Sequence, residues 1–224
     1  GKNLNYSGSE FNVGAQMLTL SGAGVFANTN NLTLNDPASS LKLNGIAKVS
    51  KVSVSANNTT GKLEIAQDSI IETLSHSGSS RLDIDNSTVL TLSNAFEIPN
   101  GQSMELVGSG GGTLSLADKL ALTGTLKVKT ADTIIKDGTL SLNGGTLEVN
   151  HDASIASTLL HEASSEVNVA DNITLVYPGS VLGIGAHTLT LSGGGTVSTT
   201  NAFTLNDPAS VLEFKGIKQI SAVA

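Results

Sequence analysis

Three carboxylates, four histidines and two glycine-rich stretches are the groups in this chain whose types and spacing could do chemistry. Glu64, Asp83 and Glu105 are the middle residues of the apolar-x-apolar triplets Leu63-Glu64-Ile65, Leu82-Asp83-Ile84 and Met104-Glu105-Leu106. If those triplets stack, the carboxylates form one column. Like charges in direct cross-strand contact repel unless something neutralises them. A hard cation such as Ca²⁺ could do so, and so could flanking Lys42 and Lys127. Calcium takes six to eight oxygen ligands, and the Gly-Gly-x-Gly-x-Asp pattern of calcium-binding β-rolls is missing. A mixed, screened face is the favoured reading, and neither a metal ligand nor a cofactor is assigned.

His76, His151, His161 and His187 stand among many serines, yet no Gly-x-Ser-x-Gly elbow presents a nucleophile. The stretches Gly108-Ser109-Gly110-Gly111-Gly112-Thr113 and Gly193-Gly194-Gly195-Thr196 lack the Gly-Lys-Ser/Thr ending of a phosphate loop. They read as tight corners, and no catalytic residue is assigned. Outward threonines such as Thr19, Thr33, Thr91, Thr174, Thr190 and Thr204 raise an ice-binding array, but Lys, Glu and Asp interrupt it at equivalent positions.

The elements that would position these residues follow from composition. Among 224 residues there are 24 Gly, 28 Ser, 23 Thr and 19 Asn, together 94 residues, while Cys and Trp are absent. Those four types are poor helix interiors. Twenty-nine Leu can still bury a sizeable core, and only 14% of residues are charged, which argues against disorder. The net charge of −7, with Lys and Arg scattered, argues against a nucleic-acid groove. No apolar run is long enough to cross a membrane.

Self-similarity organises the chain. Residues 14–52 align without a gap onto 185–223, an offset of 171, with 22 of 39 positions identical. Leu34-Asn35-Asp36-Pro37-Ala38-Ser39 recurs as Leu205-Asn206-Asp207-Pro208-Ala209-Ser210, and His187 takes the place of Gln16. A finer period is carried by triplets beginning at 18, 41, 63, 82, 104, 126, 147, 167, 189 and 212, so that eight steps of about 21 residues make one long repeat. Each triplet alternates inward and outward with period two. A constant short period without helices predicts an all-β fold: a right-handed parallel β-helix of about ten coils, one domain over 1–224, continuing as part of a longer array. Leu18, Leu41, Leu63, Leu82, Met104, Leu126, Leu147, Val167, Leu189 and Leu212 form its expected inward column. Thr19, Lys42, Glu64, Asp83, Glu105, Lys127, Glu148, Asn168, Thr190 and Glu213 form the outward one.

Lines such as Thr139-Leu140-Ser141-Leu142-Asn143-Gly144-Gly145-Thr146-Leu147-Glu148-Val149 resemble the β-helical passenger regions of bacterial autotransporters and other giant repetitive surface proteins. The resemblance implies a secreted or cell-surface location, an extended adhesin-like rod, and partners among cell-surface glycans or proteins. It transfers no functional residue. Uncapped ends add an expectation of end-to-end or lateral self-association. Carbohydrate-active β-helices are the rival class, but they need clustered carboxylates, usually with aromatic rings against the sugar. Here Tyr6, Phe11, Phe26, Phe96, Tyr177, Phe203 and Phe214 are dispersed. The chain is therefore read as a non-enzymatic structural and interaction segment.

Overall fold

The computed structural model describes residues 2–54 and 60–222; Gly1, Val223 and Ala224, which the domain or repeat assignments include, lie outside the described residues. The described residues form 29 strands and no helix. They wind into a β-solenoid of about ten turns with about 22 residues per turn, slightly longer than the 21 read from triplet spacing. Among the described residues no helix is long and apolar enough to cross a membrane.

Each turn contributes strands to three faces. The first face is a ten-stranded sheet running from Met17–Ser21 through Leu63–Ile65 and Thr125–Val128 to Val211–Lys215. The second face runs from Leu4–Tyr6 to Gln219–Ala222. The third is made of shorter pieces: Phe11–Asn12 and Leu32–Leu34, then the sheet from Phe96–Ile98 to Thr158–Ala163, then Leu182–Gly183 with Phe203–Thr204. Between Leu34 and Phe96 the strands Lys48–Val54 and Ser69–His76 run on beyond the second face, and Leu32–Leu34 pairs with the far half of Lys48–Val54. All ladders between strands are parallel; two isolated antiparallel bridges, Ser21 with Gly45 and Ser192 with Gly216, mark the same corner in both copies of the long repeat.

The alternation seen in the triplets sets inside and outside. In Thr125–Val128, Leu126 and Val128 are fully buried while Thr125 and Lys127 face outward. One continuous apolar cluster runs from Phe26 to Val197 along the axis. Burying one such Leu contributes about 2 kcal/mol against the entropy of ordering its coil.

The inward column is correct in phase but not in register throughout. Leu18, Leu41, Leu63 and Leu82 stack as expected. The next step slips by two: Leu82 lies opposite Leu106, and Met104 lies opposite Ser80. A second slip sets Val167 against Leu191 and Ser165 against Leu189. Both are even, so no side chain changes face, whereas a one-residue slip would invert the whole strand. The triplet permits both. Met104-Glu105-Leu106 offers two inward residues of similar size, and either can sit over Leu82.

The phase assignment is directly testable. Leu126 is fully buried with Met104 and Leu147 as ladder neighbours, so Leu126→Asp should cost several kcal/mol. Lys127→Ser, one residue along and half-exposed, should change stability by about 1 kcal/mol or less. Urea unfolding of the two variants measures both, and equal effects would refute the assignment.

Candidate functional site

The first slip decides what the carboxylates can do. Glu64 and Asp83 are ladder neighbours, as expected. Glu105 is not above Asp83: its ladder neighbours are Arg81 below and Lys127 above, and the residue above Asp83 is Val107. The expected three-carboxylate column is therefore two carboxylates and a separate one. The register shift is the reason, since it moves Glu105 along its strand by two residues.

Lysines neutralise both parts. Lys42, the ladder neighbour below Glu64, bonds its Oε1, and Lys62 lies 3.1 Å from its Oε2 while also bonding Asp83 Oδ2. Lys129 sits 2.6 Å from Glu105, and Lys127 lies 3.7 Å from Glu148. Burial pushes the Glu64 carboxyl up, but hydrogen bonds from Lys42 and Lys62 outweigh it and hold it below the ordinary carboxylate value. The hydrogen bond to Asp83, more than that to Glu64, raises the Lys62 ammonium. Asp83 is only 5% exposed, packed where Gly108 turns the next corner with φ +123°. Any Cβ at Gly108 would overlap the Asp83 carboxylate. Similar pairs recur on the other faces: Lys48 with Glu72 at 2.6 Å, and Lys119 with Glu162 two turns away. Among the described residues no group of three or more His, Asp or Glu is placed to hold a metal ion.

The histidines are spread over the rod. His76 donates from Nε2 to the Ser103 carbonyl at 3.2 Å and meets Phe96 edge to face. His161 donates from Nδ1 to the Ile184 carbonyl at 2.7 Å, with the His187 ring 5.8 Å away edge to face. His151 is exposed. Burial lowers both His76 and His161 below the ordinary imidazole value of 6.5; the neighbouring His187 adds to the effect on His161. These rings tie one turn to the next through backbone carbonyls. The two glycine stretches form corners between the first and second faces.

The most elaborate side-chain chemistry is at two corners that the long repeat makes equivalent. Gly14 N–H donates to Asn35 Oδ1 at 2.9 Å, while Ser39 Oγ donates to the Gly14 carbonyl and accepts from Asp36 N–H. The same bonds join Gly185 to Asn206 and Ser210, with Asp207 in the place of Asp36. In each copy the Asn-Asp-Pro-Ala-Ser turn clasps the turn below it. The structure also extends the repeat before residue 14, to Leu4, Tyr6 and Gly8, which match Leu175, Tyr177 and Gly179. Asn30 and Asn201 donate to the Gly8 and Gly179 carbonyls, and both glycines lie under a tyrosine ring where a Cβ would collide. With Ser9 matching Ser180, four of the ten positions 4–13 are identical, a lower share than over 14–52. The fold makes them visible.

An open depression of about 320 Å³ on the second face is lined by Ile134, Val176, Thr174, Asp132, Asp152 and Ser154, and Asp152 is already engaged by the Thr174 N–H at 2.7 Å. An apolar void of about 20 Å³ lies in the core beside Tyr177 and Phe203. Scans against family models, curated proteins and solved structures found no match to this chain.

Two outcomes follow for stability. Lys62→Met strands a nearly buried Asp83 and should cost about 1–3 kcal/mol; adding Asp83→Asn should recover part of it, and a strictly additive double variant in a thermodynamic cycle would exclude the coupling. On acidification stability should fall in two windows. His76 and His161 are depressed in the folded state, so the unfolded chain takes up protons first as pH drops below about 6.5. Glu64 follows as pH drops below about 4.5, where the unfolded carboxyl protonates before the folded one. Thermal unfolding of the His76→Gln/His161→Gln variant should lose the first step and keep the second. A first step that survives in this variant would remove the histidines as its cause.

Proposed function

We propose that this chain is a structural and interaction segment of a secreted or cell-surface repetitive protein, acting as a rigid adhesin-like rod. The observation that carries the reading is the uninterrupted ten-turn ladder over one continuous core. At about 4.8 Å per turn it spans about 48 Å. The Lys–carboxylate pairs support it too. They join side chains one or two turns apart, which stiffens the stack and ties up the outward carboxylates of those turns. Cell-surface glycans or proteins are the proposed partners, and the outer faces are the contact area.

The purified chain, screened on glycan arrays and on intact bacterial and host cells, should bind a defined surface and leave its polysaccharides uncleaved. Release of reducing ends or unsaturated sugars would replace this reading with a carbohydrate-active one. Failure to bind any surface would overturn the adhesive role.

A further inference from the structure

Apolar exposure concentrates at the two ends of the rod, and the long repeat shows what covers such ends. Each end turn has an equivalent 171 residues away that lies inside the rod. At the upper end Leu205 is 58% exposed and Phe214 is 54% exposed, whereas their equivalents Leu34 and Leu43 are both at 0%. At the lower end Leu4 is 60% exposed and Phe11 is 38% exposed, while their equivalents Leu175 and Leu182 are at 4% and 2%. The near-side contacts are shared, since the same clasp joins each pair of turns. What differs is the covering turn. Over Leu41 and Leu43 that turn brings Leu63 and Ile65, and over Val52 it brings Leu74. Beneath Leu175 and Leu191 the covering turn brings Ala153 and Val167.

We propose that both ends are docking surfaces for a second copy of the 171-residue unit, joined in line in one polypeptide. The upper end accepts a turn of the Gly61–His76 type and the lower end a turn of the Ala153–Val169 type. Position 224 is equivalent to 53, because 224 − 171 = 53. A unit that resumes at the equivalent of position 54 therefore continues the chain in register. Inside this chain the transition from one unit to the next is already seamless: Ala153–Ile155 pairs with Thr174–Tyr177, and Ser165–Val169 pairs with Thr188–Ser192. The inference deepens the rod reading and rests on it. Its test reads burial at the ends rather than surface binding, so either can fail alone.

The test appends residues 54–224 after Ala224, a chain of 224 + 171 = 395 residues, and compares it with the 224-residue protein. The long chain should unfold in one transition at a higher Tm, and amides of Val211–Lys215 should exchange at least about tenfold more slowly than in the short chain. Phe214→Asp should lower the Tm of the long chain by roughly 5–15 °C and that of the short chain by about 2 °C or less. Equal effects in both chains, two separate transitions, or an unfolded extension beside an intact first unit would overturn the proposal. If the long chain does not fold, an extension by residues 54–76 alone reads the same amide protection, and its failure is also decisive. Concentration-dependent assembly of the short chain that protects Val211–Lys215 to the same extent would show that a separate molecule covers the end, against an in-line copy.

Discussion

Every feature of this rod depends on one constraint: a turn of about 22 residues cannot satisfy its own backbone. Each strand in a parallel ladder bonds to the turn above and the turn below, and a buried backbone group without a partner costs as much as a lost hydrogen bond. Stacking is therefore obligatory, and the inward aliphatic residues make it favourable. Because each turn touches only its neighbours, stability is a sum of nearest-neighbour terms with no central hub. That explains why Leu, Val and Ile suffice for the core and why aromatic residues are few. It also explains the corners. Gly108, and the clasped turns at Asn35–Ser39 and Asn206–Ser210, return the chain to the same place within a fixed length.

Stacking at about 4.8 Å also rules the charges. An outward carboxylate has a ladder neighbour directly above and below whether or not that suits it. Lysine suits it best, because its four-carbon stem lies along apolar surface and carries the ammonium across to the next turn. Lys62 reaches both Glu64 and Asp83, and Lys119 reaches Glu162 two turns on. The effect is larger at Asp83 than at an exposed pair, because a carboxylate so nearly enclosed cannot rely on water. Charge pairing along the axis is thus a structural device, and the net charge of −7 is left mainly to acids at corners, such as Asp132 and Asp152.

Which face a residue occupies was legible in the sequence; which residue it touches was legible only in part. Period-two alternation assigns Leu126 inward and Lys127 outward without ambiguity. It defines register only to within two residues, so Glu105 reads as the neighbour of Asp83 when it is the neighbour of Arg81. The glycine stretches were legible as corners because glycine has a single strong conformational meaning there. The roles of His76 and His161 were not legible, because their partners are backbone carbonyls 27 and 23 residues away. Such a carbonyl carries no residue-type signature. Tyr6 and Gly8 were missed for a related reason. Their equivalence to Tyr177 and Gly179 shows in ring-over-glycine packing, which scattered identities do not announce.

The slips also show what the long repeat repeats. Following ladder partners upward from Leu18 leads through Leu82, Leu106, Val128 and Val149 to Val169 in the eighth turn, two residues past Val167. The second slip adds two more, so the column that begins at Leu18 does not pass through Leu189, its sequence equivalent. Within the copies the local ladder is nevertheless the same: Leu18 pairs with Leu41 as Leu189 pairs with Leu212, and Phe11 pairs with Leu32 as Leu182 pairs with Phe203. They also share the clasp of Asn35 and Ser39 on Gly14 and the Tyr6-over-Gly8 turn, both reproduced 171 residues later. Column contacts tolerate an even slip because one aliphatic residue replaces another at little cost, whereas a clasp built from an Asn, a Ser and a glycine carbonyl tolerates none. Ladder register and clasp recur together in the two copies, and both even slips fall in the turns between them.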